Sequence, residues 1–179
     1  WSGTYLIVYE TGKLAFDGSL SSFDATSNTK SVTISNSQIE ATDAMNAISF
    51  TIAKNGSSYS IKGASGKYIG NASNSNALTT SPNALNNTIS FKSANEIDIK
   101  GTGGAYLRYN ATSGQTRFRY FKSSTYTSQK AIQLYKLQDW TESGGGAGGD
   151  EPAGGNNENE GGTTGGDESP VEPALGKEW

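Results

Sequence analysis

The stretch SFTIAKNGSSYSIKGASGKYIG, residues 49–70, has a relative further along the chain in SFKSANEIDIKGTGGAYLRY, residues 90–109. Both begin with Ser-Phe, pass through Ile-Lys-Gly and then reach Gly-x-Tyr. Apolar and polar residues alternate in both, which is typical of a half-buried β-strand. A third version, YLIVYETGKLAFDGS at residues 5–19, keeps a tyrosine, an isoleucine, a glycine and a lysine in equivalent places. The sequence therefore contains three related units of roughly 40 residues, the period expected of a repeat architecture.

A second short sequence pattern recurs once in each unit and helps to predict the fold. It reads AISF, TISF and AIQL, at residues 47–50, 88–91 and 131–134. One such unit cannot cover its own apolar face, whereas three units closed around an axis leave few free strand edges. We therefore predict an all-β, β-trefoil-like fold with about twelve strands in three four-strand repeats, and the best helical candidate is the short segment 37–47. The strands are predicted at 4–9, 13–16, 31–35, 47–53, 58–62, 67–70, 77–80, 88–92, 96–100, 105–109, 116–121 and 130–137.

Composition divides the chain into a module and a linker. Residues 143–176 hold 12 of the 23 glycines and three of the four prolines, and residues 143–179 carry a net charge of −7 against +4 for residues 1–142. A segment of this kind cannot bury enough apolar area to offset its ordering entropy. We predict a module at 1–140 and a flexible, disordered acidic linker at 141–178, with residue 179 as a possible start of a following domain. Because the chain begins with Trp1, we expect it to be part of a longer polypeptide.

The residue types present argue against catalysis. The chain has no histidine and no cysteine, so the usual general base, zinc ligands and thiol nucleophile are missing. No pair of carboxylates has a motif that would place it in a cleft, and each acid is interpreted as a solvated surface charge. Lys13 and Lys67 follow glycines but lack the Ser or Thr of a phosphate loop. We predict no catalytic residue, no metal and no cofactor, and therefore no enzyme.

A basic and aromatic segment, residues 106–126, is the candidate binding site. Arginines and tyrosines alternate there with strand period, so a hairpin would present an arginine and tyrosine surface. Planar rings stack on sugars or bases, and guanidinium groups add cation–π and bidentate contacts. The alternative is that half of the aromatic residues form the core and the arginines only keep the module soluble, an interpretation that we favour for Phe118 and Tyr120. The predicted ligand-binding residues are Tyr106, Arg108, Arg117, Arg119 and Tyr126.

The amino-acid sequence of the repeats resembles that of known families. The units resemble a β-trefoil of the general ricin-lectin or fascin type. More narrowly, GTYLIVYE with LAFDGS, YLRYNATSG and the closing AIQLYKL resemble an extracellular β module of gut Bacteroidetes and Firmicutes, over residues 1–137. That module occurs in large secreted or surface proteins, some of which carry nuclease, phosphatase or glycan-acting domains. Ricin-type lectins have Q-x-W in each repeat, whereas this chain has only QLY at 133–135, so no sugar-binding residue is carried over from that family.

These observations predict a non-catalytic accessory module of a secreted or surface bacterial multidomain protein. It would lie outside the cell or on its surface, tethered to further domains and without membrane insertion, since no apolar run approaches the roughly 20 residues of a spanning helix. The expected partner is a glycan or another surface polymer. The first alternative is a nucleic-acid-tethering module of a secreted nuclease, which would use the basic and aromatic segment. The second is a structural spacer without a ligand.

Overall fold

The protein, examined as a computed structural model, is described for residues 1–138, so the predicted linker at 141–178 and the predicted domain start at 179 lie outside the described residues. Within the described part, twelve strands form one antiparallel sheet, with one four-residue helix and one 3-10 turn. The predicted all-β class and the number of strands are confirmed. The strands are β1 Gly3–Tyr9, β2 Leu14–Phe16, β3 Thr29–Ser31, β4 Phe50–Asn55, β5 Ser58–Gly63, β6 Tyr68–Gly70, β7 Thr79–Ser81, β8 Asn86–Ser93, β9 Glu96–Gly101, β10 Tyr106–Asn110, β11 Arg117–Phe121 and β12 Gln133–Lys136.

Six of these strands close into a barrel. Strand β1 pairs with β12 and β4, β4 pairs with β5, β5 with β8, and β8 with β9. The bridge between Ile97 of β9 and Ile132, beside β12, completes the circle. Closure removes the free edges that an open sheet of this length would present to other chains.

The other six strands form three hairpins attached to the barrel. The hairpins β2–β3, β6–β7 and β10–β11 are joined to barrel strands β1, β5 and β9 respectively. Each repeat therefore contributes two barrel strands and one hairpin, in the order barrel, hairpin, hairpin, barrel. Three such units around one axis are a β-trefoil, which confirms the predicted four-strand repeats.

The core is aromatic where the first and third repeats meet. The ring of Phe16 lies 5.0 Å from that of Phe50, 5.1 Å from that of Phe118 and 5.6 Å from that of Phe23, measured between centroids. All four side chains are completely buried. They come from strands β2, β4 and β11 and from the loop after β2, so elements far apart in sequence are joined by ring contacts.

Two local predictions are corrected by the structure. The third strand is Thr29–Ser31 and not 31–35, because residues 32–49 leave the hairpin as a long excursion. Within that excursion a helix α1 forms only at Asp43–Asn46, where the hydroxyl oxygen of Thr42 accepts a hydrogen bond from the Met45 amide at 3.3 Å. The excursion buries Val32, Ile39 and Ile48 against outward-facing apolar side chains of β1. Barrel packing in the first repeat thus takes precedence over local strand propensity.

Candidate ligand-binding site

The predicted site residues lie mainly on one face of the β10–β11 hairpin. In the register Arg108 is opposite Arg119, and Tyr106 is opposite Phe121. Residues directly opposite each other in an antiparallel pair project to the same side, so the hairpin expected from the sequence aligns these side chains on its outward face. The other face carries Phe118 and Tyr120, both completely buried, as the core interpretation of these two residues predicts.

Arg108 lies beneath this face rather than on it. Its side chain is 1% exposed, and its guanidinium is paired with the carboxylate of Asp98, which is 15% exposed. The ring of Tyr126 lies over the guanidinium, 4.9 Å from its carbon to the ring centroid. Within residues 1–138, Nε and Nη1 of Arg108 have no hydrogen-bond partner. Arg108 therefore supports the site from below, and a ligand resting on the surface would not touch it.

Tyr126, which covers Arg108, also stacks on Tyr106. The rings of Tyr106 and Tyr126 are 4.1 Å apart and within 15° of parallel. Tyr126 belongs to the 3-10 turn Tyr126–Ser128, in the loop between β11 and β12. Lys100 Nζ lies 5.5 Å from the Tyr106 centroid, and Lys92 Nζ lies 5.2 Å from the Tyr126 centroid. Cation–π attraction from both lysines helps to hold the stack in place.

A second cluster forms around Asp24. Its carboxylate lies 3.0 Å from Nη2 of Arg119 and 3.8 Å from Nη1 of Arg117, and it accepts a hydrogen bond from the Leu78 amide at 3.3 Å. The three charged side chains are all partly exposed, at 24% for Asp24, 29% for Arg119 and 16% for Arg117. The side chains of both arginines are thus partly exposed beside the carboxylate, whose Oδ1 is itself buried and has no hydrogen-bond partner within residues 1–138.

The structure brings all five predicted residues to one side of the hairpin but divides them into two groups. Tyr106, Arg108 and Tyr126 form the stacked group, and Arg117 and Arg119 form the Asp24 cluster. The cluster partner Asp24 was missed, because it is separated from Arg119 by 95 positions in the chain and no local pattern connects them.

The interpretation of every acid as a solvated surface charge is wrong for three residues. Asp98 is paired with Arg108 and Asp24 with two arginines, while Asp17 is buried and lies 3.6 Å from Lys30. For Asp98 the alternation with Ile97 and Ile99 correctly indicates an outward position. The outward face at this point is covered by a second layer of side chains, and the alternation carries no information about that layer.

Gln133, at the place of the lectin signature, has a structural role. Its Oε1 accepts a hydrogen bond from the Glu10 amide at 3.0 Å, and its Nε2 donates one to the carbonyl of Asn95 at 3.0 Å. The side chain is nearly buried. It connects the end of β1 to the turn between β8 and β9, which leaves little of the amide for a ligand.

The described residues offer no metal centre beside this site. Among residues 1–138, no three carboxylates gather where they could hold a metal ion, and no helix in that range is long and apolar enough to span a membrane. Burial raises the pKa of Tyr120 well above its ordinary value, so its hydroxyl remains protonated and donates to Asn87 Oδ1 at 2.7 Å. That hydrogen bond is internal and serves the core.

Of the comparisons with known proteins, only the one with solved structures found a similar protein. No protein-family model matches the sequence, and no curated protein matches it. Among solved structures, the chain is similar to the Macrolepiota procera ricin B-like lectin in complex with lactose. That likeness has a TM-score of 0.45 and 17% sequence identity, and it covers 78% of this chain and 90% of that chain.

Proposed function

We propose that the chain is a non-catalytic binding module whose ligand is a glycan held on the outward face of the β10–β11 hairpin. The observation that carries the proposal is the convergence of Asp24, Arg117 and Arg119 at partial exposure, on the same hairpin face as the Tyr106–Tyr126 stack. Carboxylate acceptors and planar guanidinium donors form bidentate hydrogen bonds with vicinal hydroxyl groups. The outer edges of the two half-buried rings would add apolar contact with the C–H groups of a sugar.

The charge balance favours a hydroxyl-rich ligand over a polyanion. Asp24 offsets one of the two arginine charges within the cluster, and Asp98 offsets Arg108. A nucleic-acid site would instead present uncompensated cations along a groove. The role of Arg108 in this proposal is to position Tyr126, which lies directly over its guanidinium.

The proposal extends to the biological setting of the module. A glycan-binding module with a Gly-rich acidic segment after residue 140 suits an accessory part of a secreted or surface bacterial protein, in which it would tether other domains of the same polypeptide to a polymer. A linker raises the local concentration of the tethered domain without contributing contacts of its own.

Replacing Arg119 with alanine is expected to weaken glycan binding by about tenfold or more, because a charge-assisted hydrogen bond contributes roughly 1.5–3 kcal/mol. The measurement is isothermal titration of the full chain with soluble xylan, mannan, laminarin and galactan. Lys122→Ala is the matched control, since it removes a cation from the end of the same hairpin on its other face. That variant should bind like the unmodified chain.

The same titrations distinguish the alternatives. If a single-stranded DNA oligonucleotide binds with an affinity that falls steeply with salt and the polysaccharides do not bind, the module is a nucleic-acid tether. If neither class binds at low salt, the spacer interpretation replaces the proposal. Equal losses for Arg119→Ala and Lys122→Ala would show that binding depends on general charge and not on the Asp24 cluster.

A further inference from the structure

The three repeats present one equivalent outward position each, and it is filled differently in each repeat. The equivalent pairs join a barrel strand to the hairpin beside it: Val8 with Ala15, Lys62 with Tyr68, and Lys100 with Tyr106. In the second and third repeats the pair is a lysine and a tyrosine, with the ammonium 5.6 Å and 5.5 Å from the ring centroid. The first repeat has two apolar residues instead.

Two of these positions are covered by the chain itself, in both cases by the loop between the third and fourth strand of the repeat. In the first repeat, the excursion 32–49 packs Val32 and Ile39 into the apolar cluster that contains Val8. In the third repeat, loop 122–132 places the ring of Tyr126 on the ring of Tyr106. In two of the three repeats, this outward position is therefore covered by polypeptide chain.

The second repeat has no comparable cover. Its loop between the third and fourth strand consists of residues 82–85 only. Leu85 of this loop packs near Gly70, and no residue of the described part stacks a ring on Tyr68. Beside the Lys62–Tyr68 pair the register places small residues, with Thr51 opposite Lys62 and Ser81 opposite Tyr68, where the third repeat has the bulky Phe121 opposite Tyr106.

The charge of the second repeat is also distinctive. Residues 44–95 contain four lysines and no aspartate or glutamate. Three of the lysines, Lys54, Lys62 and Lys67, form no ion pair with another residue of the range 1–138. In the third repeat, by contrast, Asp98 and Glu96 lie on the equivalent barrel strand and pair with Arg108 and Lys92. At this position Lys62 lies against Tyr68, Lys67 precedes Tyr68 in the chain, and neither lysine has a counter-charge within residues 1–138.

We propose that the outward face at Lys62 and Tyr68 docks a segment of a partner polypeptide that presents an aromatic side chain among acidic residues. The aromatic ring would stack on Tyr68 as Tyr126 stacks on Tyr106, and the acidic residues would face the lysines. The small residues Thr51 and Ser81 leave space for the incoming backbone. This face is separate from the β10–β11 site, so either proposal can fail without the other.

The test uses the ¹⁵N-labelled full chain and a short synthetic peptide with one tyrosine between pairs of aspartates. Amide shifts are expected to move around Lys62, Tyr68 and Ser81. Tyr68→Leu keeps an apolar side chain but removes the stacking ring, and it should weaken binding about tenfold. Lys62→Gln should weaken binding several-fold and flatten its dependence on salt.

The internal symmetry supplies matched controls. Tyr106→Leu and Lys100→Gln make the same changes at the equivalent position that Tyr126 already covers, and they should leave peptide binding unchanged. A peptide with serine in place of tyrosine should bind much more weakly. The proposal is overturned if the peptide causes no shifts or if the Tyr68 and Tyr106 variants lose binding equally. It is also overturned if a polyanionic glycan, polygalacturonate, shifts the amides around Tyr68 in a separate titration and the peptide does not.

Discussion

Replacing Phe16 with alanine is expected to lower the free energy of unfolding by about 4 kcal/mol. Phe16 is completely buried and its ring contacts those of Phe23, Phe50 and Phe118. Alanine would remove the ring that joins the others and leave a cavity between repeats that cannot close without moving three strands. Urea unfolding followed by tryptophan fluorescence measures the change as a shift of the midpoint at constant slope.

Phe91→Ala is the control for this substitution. Phe91 is 47% exposed and rests against Trp1, with ring centroids 4.7 Å apart, so its removal should cost less than about 1 kcal/mol. Phe16→Leu, which keeps most of the volume, should fall between the two variants. Similar losses for Phe16→Ala and Phe91→Ala would contradict the assignment of Phe16 to the centre of the core.

Replacing Asp98 with alanine is expected to destabilise the protein by about 3 kcal/mol, because it leaves the buried guanidinium of Arg108 without its counter-charge. Arg108 is 1% exposed, and two of its nitrogens already have no hydrogen-bond partner within the described residues. Loss of the carboxylate should also release the Tyr106–Tyr126 stack, since Tyr126 lies over the guanidinium. Urea unfolding reports the stability, and tyrosine proton chemical shifts report the stack.

The double variant Asp98→Leu with Arg108→Met tests the cause. Replacing both members of a buried ion pair with apolar residues of similar size is often neutral or stabilising, whereas removing one member is costly. The double variant should therefore recover most of the stability that Asp98→Ala loses. If the double variant is as unstable as the single one, the loss arises from packing and not from an unpaired charge.

The repeats were predictable because they are local and periodic. Strands β4, β8 and β9 carry their apolar residues at period two, and turn glycines stand where a positive φ is needed, as at Gly56 with φ 63° and Gly66 with φ 83°. A β-trefoil is built from three such units in succession, so recognising the units is enough to predict the fold. The long excursion 32–49 was harder to predict, because its apolar residues pack on a barrel face that does not exist until the fold has formed.

The candidate site was predictable only in part. The β10–β11 hairpin aligns Tyr106, Arg108 and Arg119 on one face because strand alternation and a turn are enough to do so. Nothing in the order of residues shows that Arg108 would be buried or that Tyr126 would return from the next loop to cover it. Those outcomes depend on the path of loop 122–132 over the barrel wall.

The sequence by itself determined the number of strands, the three units and the residue types available for binding, because these follow from local alternation and composition. Tertiary structure alone decided which charges are paired and which faces remain open. Asp24 reaches Arg119 from 95 positions away. Tyr126 stacks on Tyr106, whereas no ring of the described residues stacks on Tyr68, although the two tyrosines have nearly the same local sequence. The physical reason is that loops from distant parts of the chain decide which charges form ion pairs and which tyrosines are covered. The positions of those loops depend on the closed barrel that supports them.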